Sequence, residues 1–79
     1  MKKDLSEFIA REILGSQTGE GPTGDDDLLG SGMVDSLGVM SLVFFIEERF
    51  GVEVPPEDVT IDNFQTIDAI ASYLERRSG

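Results

Sequence analysis

The segment from Gly32 to Phe50, GMVDSLGVMSLVFFIEERF, carries more apolar residues than one buried helix face can use. Wrapped at about 100° per residue from Ser36, these residues fall into two separate stripes on a predicted helix that ends at Gly51. One stripe has the spacing of a core-facing surface and consists of Val39, Leu42, Val43, Ile46 and Phe50. The other consists of Leu37, Met40 and Phe44, and Phe45 belongs to neither. The second stripe needs an explanation other than the core.

Two more long segments have helical signals. The first helix is expected from about Asp4 to Leu14, with Gly15 as its stop signal, and its apolar face is Leu5, Phe8, Ile9 and Ile13. The last helix is expected to begin after Thr66 as its cap, and its apolar face is Ile67, Ile70, Ala71 and Leu74. Arg76 and Arg77 suit the negative end of that helix.

A shorter helical segment is expected in VEVPPEDV, where Pro55 and Pro56 preset a first turn and Val54 and Val59 can point inward. Together with the three longer helices, this segment predicts an all-α fold. The fold class is a small four-helix bundle, with three main helices, one short helix and a long loop between the first two.

That loop, GSQTGEGPTGDDDLLGSG, concentrates six of the nine glycines together with Pro22. Such a composition cannot hold a regular element. We expect Leu28 and Leu29 to fasten the loop to the core, and the tip near Gly19 to Gly24 to be mobile.

Length and composition exclude several classes of protein. A chain of 79 residues predicts one domain, residues 1–79, because it buries only about 60–65% of its unfolded surface. The chain has no cysteine for a disulfide or a thiolate metal site and no histidine for a general base. Its carboxylates show neither an acid/base pair nor a calcium-loop pattern, so we expect no catalytic residue and no metal.

The N-terminal MKKDLSEF lacks the apolar core of a signal peptide, and no apolar run is long enough to insert into a membrane, so we expect a cytoplasmic protein.

Sixteen acidic and six basic residues give a net charge of −10, and no lysine or arginine occurs between Glu12 and Glu48. This segment would repel nucleic acids and attract basic proteins, so we expect no nucleic-acid partner. An acidic surface can also serve solubility alone. Here the charge surrounds the second apolar stripe, which favours a docking surface.

Ser36 opens the predicted second helix, directly after Asp35. Taken alone, the pair could simply share the capping of the helix. Three features favour a serine that another protein modifies instead. It follows a flexible loop, it lies at a helix end that suits an anionic phosphate, and it neighbours an exposed apolar stripe within an acidic surface.

At these residues the chain resembles the discrete acyl and peptidyl carrier proteins. VDSL at Val34 to Leu37 matches the DSL motif with which their second helix begins. The resemblance continues through LLGSGMVDSLGVMSLVFFIEERFGVEVPPEDV and NFQTIDAI and so covers nearly the whole chain. DSL alone is weak evidence, whereas DSL followed by EERFGVEVPPED in so acidic a chain is specific.

The resemblance implies that Ser36 carries 4'-phosphopantetheine, transferred from coenzyme A by a magnesium-dependent phosphopantetheinyl transferase. The terminal thiol of that arm would hold an acyl or aminoacyl group as a thioester. Asp35 and Leu37 would assist at the attachment site, and partner enzymes would contact Leu37, Met40, Phe44, Glu47 and Glu48. Those partners would be a loading ligase and downstream synthases or transferases, and the carrier, a monomer, would catalyse nothing.

The resemblance is not uniform across the family. Carriers of fatty acid synthesis typically have acidic residues where this chain has Gly38 and Ser41. GMVDSLG is more similar to carriers that work with adenylating ligases, including D-alanyl and other aminoacyl carriers. This similarity favours a specialised lipid or secondary-metabolite pathway over housekeeping fatty acid biosynthesis. Gly38 is expected to permit close approach of a partner or of the arm.

Two functions are alternatives to a carrier protein. One is an acidic helical adaptor that binds one partner without a prosthetic group, and the other, ranked last, is an enzyme that uses its carboxylates.

Overall fold

The computed structural model describes residues 1–15 and 21–78 of the chain. Helix α1 spans Lys2–Phe8 and continues as a π-helical segment, Ile9–Ile13. Helix α2 spans Ser36–Phe50, a 3₁₀ turn spans Pro56–Asp58, α3 spans Ile61–Phe64 and α4 spans Ile67–Ser78. Over the described ranges no residue is in a β-strand. The predicted all-α bundle is therefore confirmed.

The core lies where α1, α2 and α4 meet, with one side chain of α3 and three from the connecting segments. Its buried members are Leu5, Ile9, Leu28, Val34, Leu42, Ile46, Val54, Phe64, Ile67, Ile70, Tyr73 and Leu74. The first stripe of α2 faces this core as predicted, because Leu42 and Ile46 are buried while Val39, Val43 and Phe50 pack against it.

The first helix differs from the prediction in its start and in its second half. It begins at Lys2 instead of Asp4. Near its end the Leu14 N–H donates to the Ile9 carbonyl oxygen at 2.9 Å, a five-residue step that gives the wider π-helical turn. Apolar spacing does not distinguish the two helix types over a single turn. Gly15 ends the helix as expected, with a φ of 70° that favours glycine.

Phe45, which belongs to neither stripe, packs against α1. Its ring stacks on that of Phe8 with centroids 4.3 Å apart and meets the ring of Phe50 edge-on at 6.0 Å. Offset-stacked and edge-to-face pairs are the favourable aromatic geometries. Phe45 therefore joins α2 to α1 beside the core.

The loop between α1 and α2 is described only from Gly21 onward, so the part of the expected mobile tip at residues 19–20 lies outside the described residues. Residues 21–24 are fastened to two helices. The Ser6 hydroxyl donates to the Pro22 carbonyl oxygen at 2.8 Å, and the Asp68 N–H donates to the Gly24 carbonyl oxygen at 2.9 Å. A Cβ at Gly21 would clash with the Ser6 carbonyl oxygen, so only glycine allows this approach.

The expected anchors of the same loop are confirmed. Leu28 is buried, and Leu29 packs against the core. The Leu28 N–H donates to the Gln65 carbonyl oxygen at 2.7 Å, which ties this part of the loop to the segment before α4. The part of the loop from Leu28 onward is therefore held against the core as it leads into α2.

Beyond α2 the structure has one more helical turn than predicted. Pro56 begins the short 3₁₀ turn expected from the two prolines, and Val54 is buried as predicted. Helix α3 then follows Thr60, whose hydroxyl oxygen accepts from the Asn63 N–H at 3.3 Å. At four residues it is too short to show a period. Thr66 caps α4 as predicted, since its hydroxyl oxygen accepts from the Ala69 N–H at 3.0 Å.

Tyr73 gives the fold a specific weakness at alkaline pH. Its side chain is buried, and its hydroxyl donates to Asp58 Oδ2 at 2.5 Å. Burial, followed by the hydrogen bond and the charge of Asp58, raises the pKa of Tyr73 to about 12. An unfolded tyrosine ionises near pH 10, so the native state retains a proton that the unfolded state loses between pH 10 and 12. We expect the free energy of unfolding to fall over that window by as much as about 2–3 kcal/mol.

Phenolate absorbance measures this directly, because Tyr73 is the single tyrosine of the chain. The titration midpoint of the native protein should lie well above that of the protein in denaturant. Tyr73→Phe is the control for all other titrating groups, and its stability should fall less steeply above pH 10. Coincident midpoints in the native and denatured states would contradict the prediction.

Candidate functional site

Ser36 is the first residue of α2, and the residues before it fix its position. Val34 is buried, and its N–H donates to the Leu28 carbonyl oxygen at 2.9 Å. Asp35 has an extended backbone, and its Oδ1 accepts from the Gly38 N–H at 2.8 Å. Asp35 therefore supplies the side-chain cap of the helix, while Ser36 is exposed. A visiting protein can reach this serine.

Gly38 has a different role from the expected one. It is buried, and a Cβ at this position would lie 3.0 Å from Val34 Cγ1 and 3.6 Å from Ile13 Cδ1. The close approach that glycine permits is thus between the first turn of α2 and the protein's own interior. The expectation of an approach by a partner or by the arm is corrected accordingly, since Gly38 does not face outward.

The second stripe of α2 is exposed along its whole length. Leu37, Met40 and Phe44 have 75%, 70% and 65% of their surface exposed, which confirms the division of the helix into two stripes. Three large apolar side chains on one exposed face are typical of a contact surface. Ile61, at the start of α3, is 66% exposed and was not predicted, because a one-turn helix gives no pattern that separates its faces.

The two glutamates expected to contact partners have different environments. Glu48 is exposed. Glu47 is half-buried, and its Oε2 accepts from the Val54 N–H at 2.9 Å, so it ties the end of α2 to the segment that follows. Glu47 thus has a structural contact within the chain, and its role toward partners stays a prediction.

Two grooves border the exposed stripe, and Met40 lines both. The first, which we call the α1–α2 groove, has a volume of about 580 Å³ and is lined by Phe8, Glu12, Met40, Ser41, Phe44, Phe45 and Glu48. The second, which we call the valine groove, has a volume of about 310 Å³ and is lined by Val39, Met40, Val43, Val54, Pro56 and Val59. Met40 lies one helical turn after Ser36, so both grooves begin close to the serine.

No lysine or arginine lines either of these two grooves. All six basic residues occur before Glu12 or after Glu48 in the sequence, and several engage acidic or polar groups there. Lys2 Nζ lies 3.1 Å from Asp68 Oδ1, and an Arg49 nitrogen lies 3.5 Å from Asp4 Oδ1. These exposed pairs contribute little to stability. The chain keeps a net charge of −10, so its carboxylates repel one another.

Screening of that repulsion should stabilise the fold. Raising the ionic strength from about 0.01 M to about 0.1 M shortens the reach of each charge from about 30 Å to about 10 Å. For a net charge of −10 on 79 residues we expect the melting temperature to rise by several degrees, since about 1 kcal/mol corresponds to 4–8 °C in so small a domain. Thermal denaturation in sodium chloride tests this, and an unchanged melting temperature would show that the charges are too dispersed to matter.

The family model described as "Phosphopantetheine attachment site" matches residues 8–74, which include Ser36, α2 and most of α4. The chain belongs to the phosphopantetheine attachment-site family. The predicted resemblance to carrier proteins is thereby confirmed.

Two relatives of known name support the same family. The chain is 42% identical over 43 residues to an acyl carrier protein of Bdellovibrio bacteriovorus, a region that is 54% of this chain and 53% of that protein. It is 33% identical over 51 residues to the D-alanyl carrier protein of Streptococcus pyogenes serotype M5, a region that is 65% of each chain. The chain thus spans between about half and two thirds of the length of these curated relatives.

Membership of this family implies a covalently attached 4'-phosphopantetheine group. The residues present are suited to that group, because an exposed serine hydroxyl stands at the positive end of a 15-residue helix whose cap bond Asp35 already makes. In the described part of the chain, no helix has the length and apolar character to cross a bilayer.

Proposed function

We propose that this protein carries acyl or aminoacyl groups on a 4'-phosphopantetheine arm attached to Ser36 and presents them to biosynthetic enzymes. The observation that carries the proposal is the exposed Ser36 of the DSL motif, next to an Asp35 that makes the helix cap by itself. When bound, the arm supplies the thiol that a chain without cysteine lacks and holds the cargo as a thioester.

Each residue at the site has a separate task in this proposal. The Ser36 oxygen displaces adenosine 3',5'-bisphosphate from the diphosphate of coenzyme A, so that a new serine O–P bond replaces the P–O bond that breaks, and the hydroxyl proton passes to the transferase. Asp35 holds the first turn of α2 in place through the Gly38 N–H, so that the hydroxyl is presented at a fixed position. The positive end of the α2 dipole favours an anionic phosphate beside it.

The exposed stripe of Leu37, Met40 and Phe44, with the exposed Glu48, is the proposed contact surface for partner enzymes. An apolar patch within an acidic surface suits transient contact with several proteins that have basic rims. Those partners are the phosphopantetheinyl transferase, a loading ligase and the downstream synthase or transferase enzymes. The chain itself performs no catalysis, and we place it in the cytoplasm as one carrier domain.

We propose that the cargo is loaded by an adenylating ligase and serves a specialised lipid or secondary-metabolite pathway. Two observations support this choice. Gly38 and Ser41 occupy positions that are typically acidic in fatty-acid-synthesis carriers, and one of the relatives is named a D-alanyl carrier protein. The valine groove offers an uncharged lining one helical turn from Ser36 for the apolar part of a cargo.

Intact-mass measurement tests the carrier function. The unmodified chain is incubated with coenzyme A, magnesium and a broad-specificity phosphopantetheinyl transferase, with a known carrier protein in a parallel reaction. We expect the addition of one phosphopantetheine, located by peptide mapping on Ser36. If the known carrier is modified and this chain is not, the proposal fails, and an adaptor without a prosthetic group becomes the better explanation of the exposed stripe.

A further inference from the structure

The α1–α2 groove has an aromatic interior that α1 and α2 build together. The rings of Phe8 and Phe45 stack across the two helices at 4.3 Å, and both line the groove. Met40 and Phe44, mostly exposed, form the side that belongs to the second stripe. A partner that contacts this stripe therefore meets a concave surface whose opposite wall belongs to α1.

Two carboxylates stand at this groove, one on each side. Glu12 comes from the π-helical segment that follows α1, and Glu48 comes from α2, and both are exposed. The seven lining residues include no lysine or arginine. A neighbouring hollow shares Phe8, Glu12 and Phe45 with this groove and is also lined by Arg11 and Arg49. The α1–α2 groove, which includes Met40 one helical turn after Ser36, is thus lined by two carboxylates and no basic residue.

We propose that the α1–α2 groove binds a basic and apolar segment of a partner enzyme, with a large apolar side chain against Phe8 and Phe44 and an arginine or lysine at Glu12 and Glu48. This rests on the proposed function and extends the partner surface from α2 to α1. Glu12 is then a specificity-determining residue on a helix that the DSL motif does not include.

The charge of the groove selects this occupant over others. Two exposed carboxylates oppose the approach of anionic lipid headgroups and of nucleic-acid phosphates. They also disfavour an uncharged cargo chain, for which the valine groove supplies a lining without a charged side chain. A cationic segment with an apolar side chain matches both the rim and the interior.

A peptide titration followed by NMR tests the proposal on the full-length, isotope-labelled chain. The probe is a synthetic helical peptide with leucines on one face and flanking arginines, and the control probe has glutamates in place of the arginines. We expect chemical-shift changes concentrated on residues that line the groove with the arginine peptide alone. Changes concentrated on the valine groove, or equal binding of both peptides, would overturn the proposal.

Paired charge variants make the test specific. Glu12→Lys with Glu48→Lys should weaken binding of the arginine peptide about tenfold, because two favourable ion pairs become repulsive. Glu53→Lys with Glu75→Lys is the control, since both residues are exposed, neither lines the groove, and the net charge changes equally. Thermal denaturation confirms that each variant is folded. Equal weakening in the two variants would show that net charge alone attracts the peptide and would overturn the proposal.

Failure of this inference can be distinguished from failure of the proposed function. If wild-type Ser36 is modified but the peptide binds unspecifically or not at all, the carrier function is supported and the groove is not a partner site. If the Glu12→Lys, Glu48→Lys variant binds the arginine peptide as tightly as the wild type, the groove assignment fails whatever the mass measurement shows. Shifts of the groove residues on loading the arm with an acyl group, without peptide, would make the cargo the occupant instead.

Discussion

Replacing Ser36 by alanine is expected to abolish attachment of the phosphopantetheine arm while leaving the protein folded. The exposed hydroxyl is the proposed point of attachment, and alanine has none. The fold should tolerate the change, because the Asp35 carboxylate makes the cap bond to the Gly38 N–H and alanine is a good helix former. We expect the stability to change by no more than about 0.5 kcal/mol. Intact-mass measurement after incubation with the transferase, together with thermal denaturation, gives both results.

Ser72→Ala is the matched control for this variant, because Ser72 is also an exposed serine on a helix and lies outside the α2 surface. It should be modified to the same extent as the wild type. A Ser36→Ala protein that still gains the full mass would move the attachment to another serine and refute the proposed site. A Ser36→Ala protein that fails to fold would refute the assignment of the cap to Asp35.

The parts of the site that follow from local pattern could be predicted from the sequence. The spacing of apolar residues in α2 identified which side chains are buried and which are exposed, since helical geometry alone assigns them to opposite faces. The position of Ser36 followed from the same helix start and the DSL motif. Leu28 is predicted as an anchor because it is one of two large apolar residues in a loop otherwise made of small, polar and acidic ones.

The parts that depend on contacts between distant segments could not be predicted. The Phe8–Phe45 stack joins residues 37 positions apart, and no local period indicates which aromatic residues will meet. Gly38 is explained by Val34 and Ile13, whose positions depend on the packing of α1 against α2. Glu47 has the sequence context of a surface glutamate, and only the turn after Gly51 brings the Val54 N–H to it. The α1–α2 groove and the role of Glu12 in it belong to this same class of feature.

Ile46→Ala is expected to lower the free energy of unfolding by about 2–5 kcal/mol. Ile46 is fully buried on the core-facing stripe of α2, so truncation leaves a cavity among side chains that cannot fully close around it. That loss is a large share of the roughly 5–15 kcal/mol that stabilises a typical domain. Urea denaturation followed by circular dichroism measures the effect.

Phe44→Ala, on the exposed stripe of the same helix, is the control for the loss of stability in Ile46→Ala. Although phenylalanine is the larger residue, 65% of its surface is exposed, so its removal should change the free energy of unfolding by less than about 1 kcal/mol. The same variant should impair loading of the holo protein by its ligase, because the contact surface for that enzyme loses a large apolar side chain. If Phe44→Ala destabilised the fold as much as Ile46→Ala, the second stripe would be part of the core, and an exposed partner surface beside Ser36 would no longer exist.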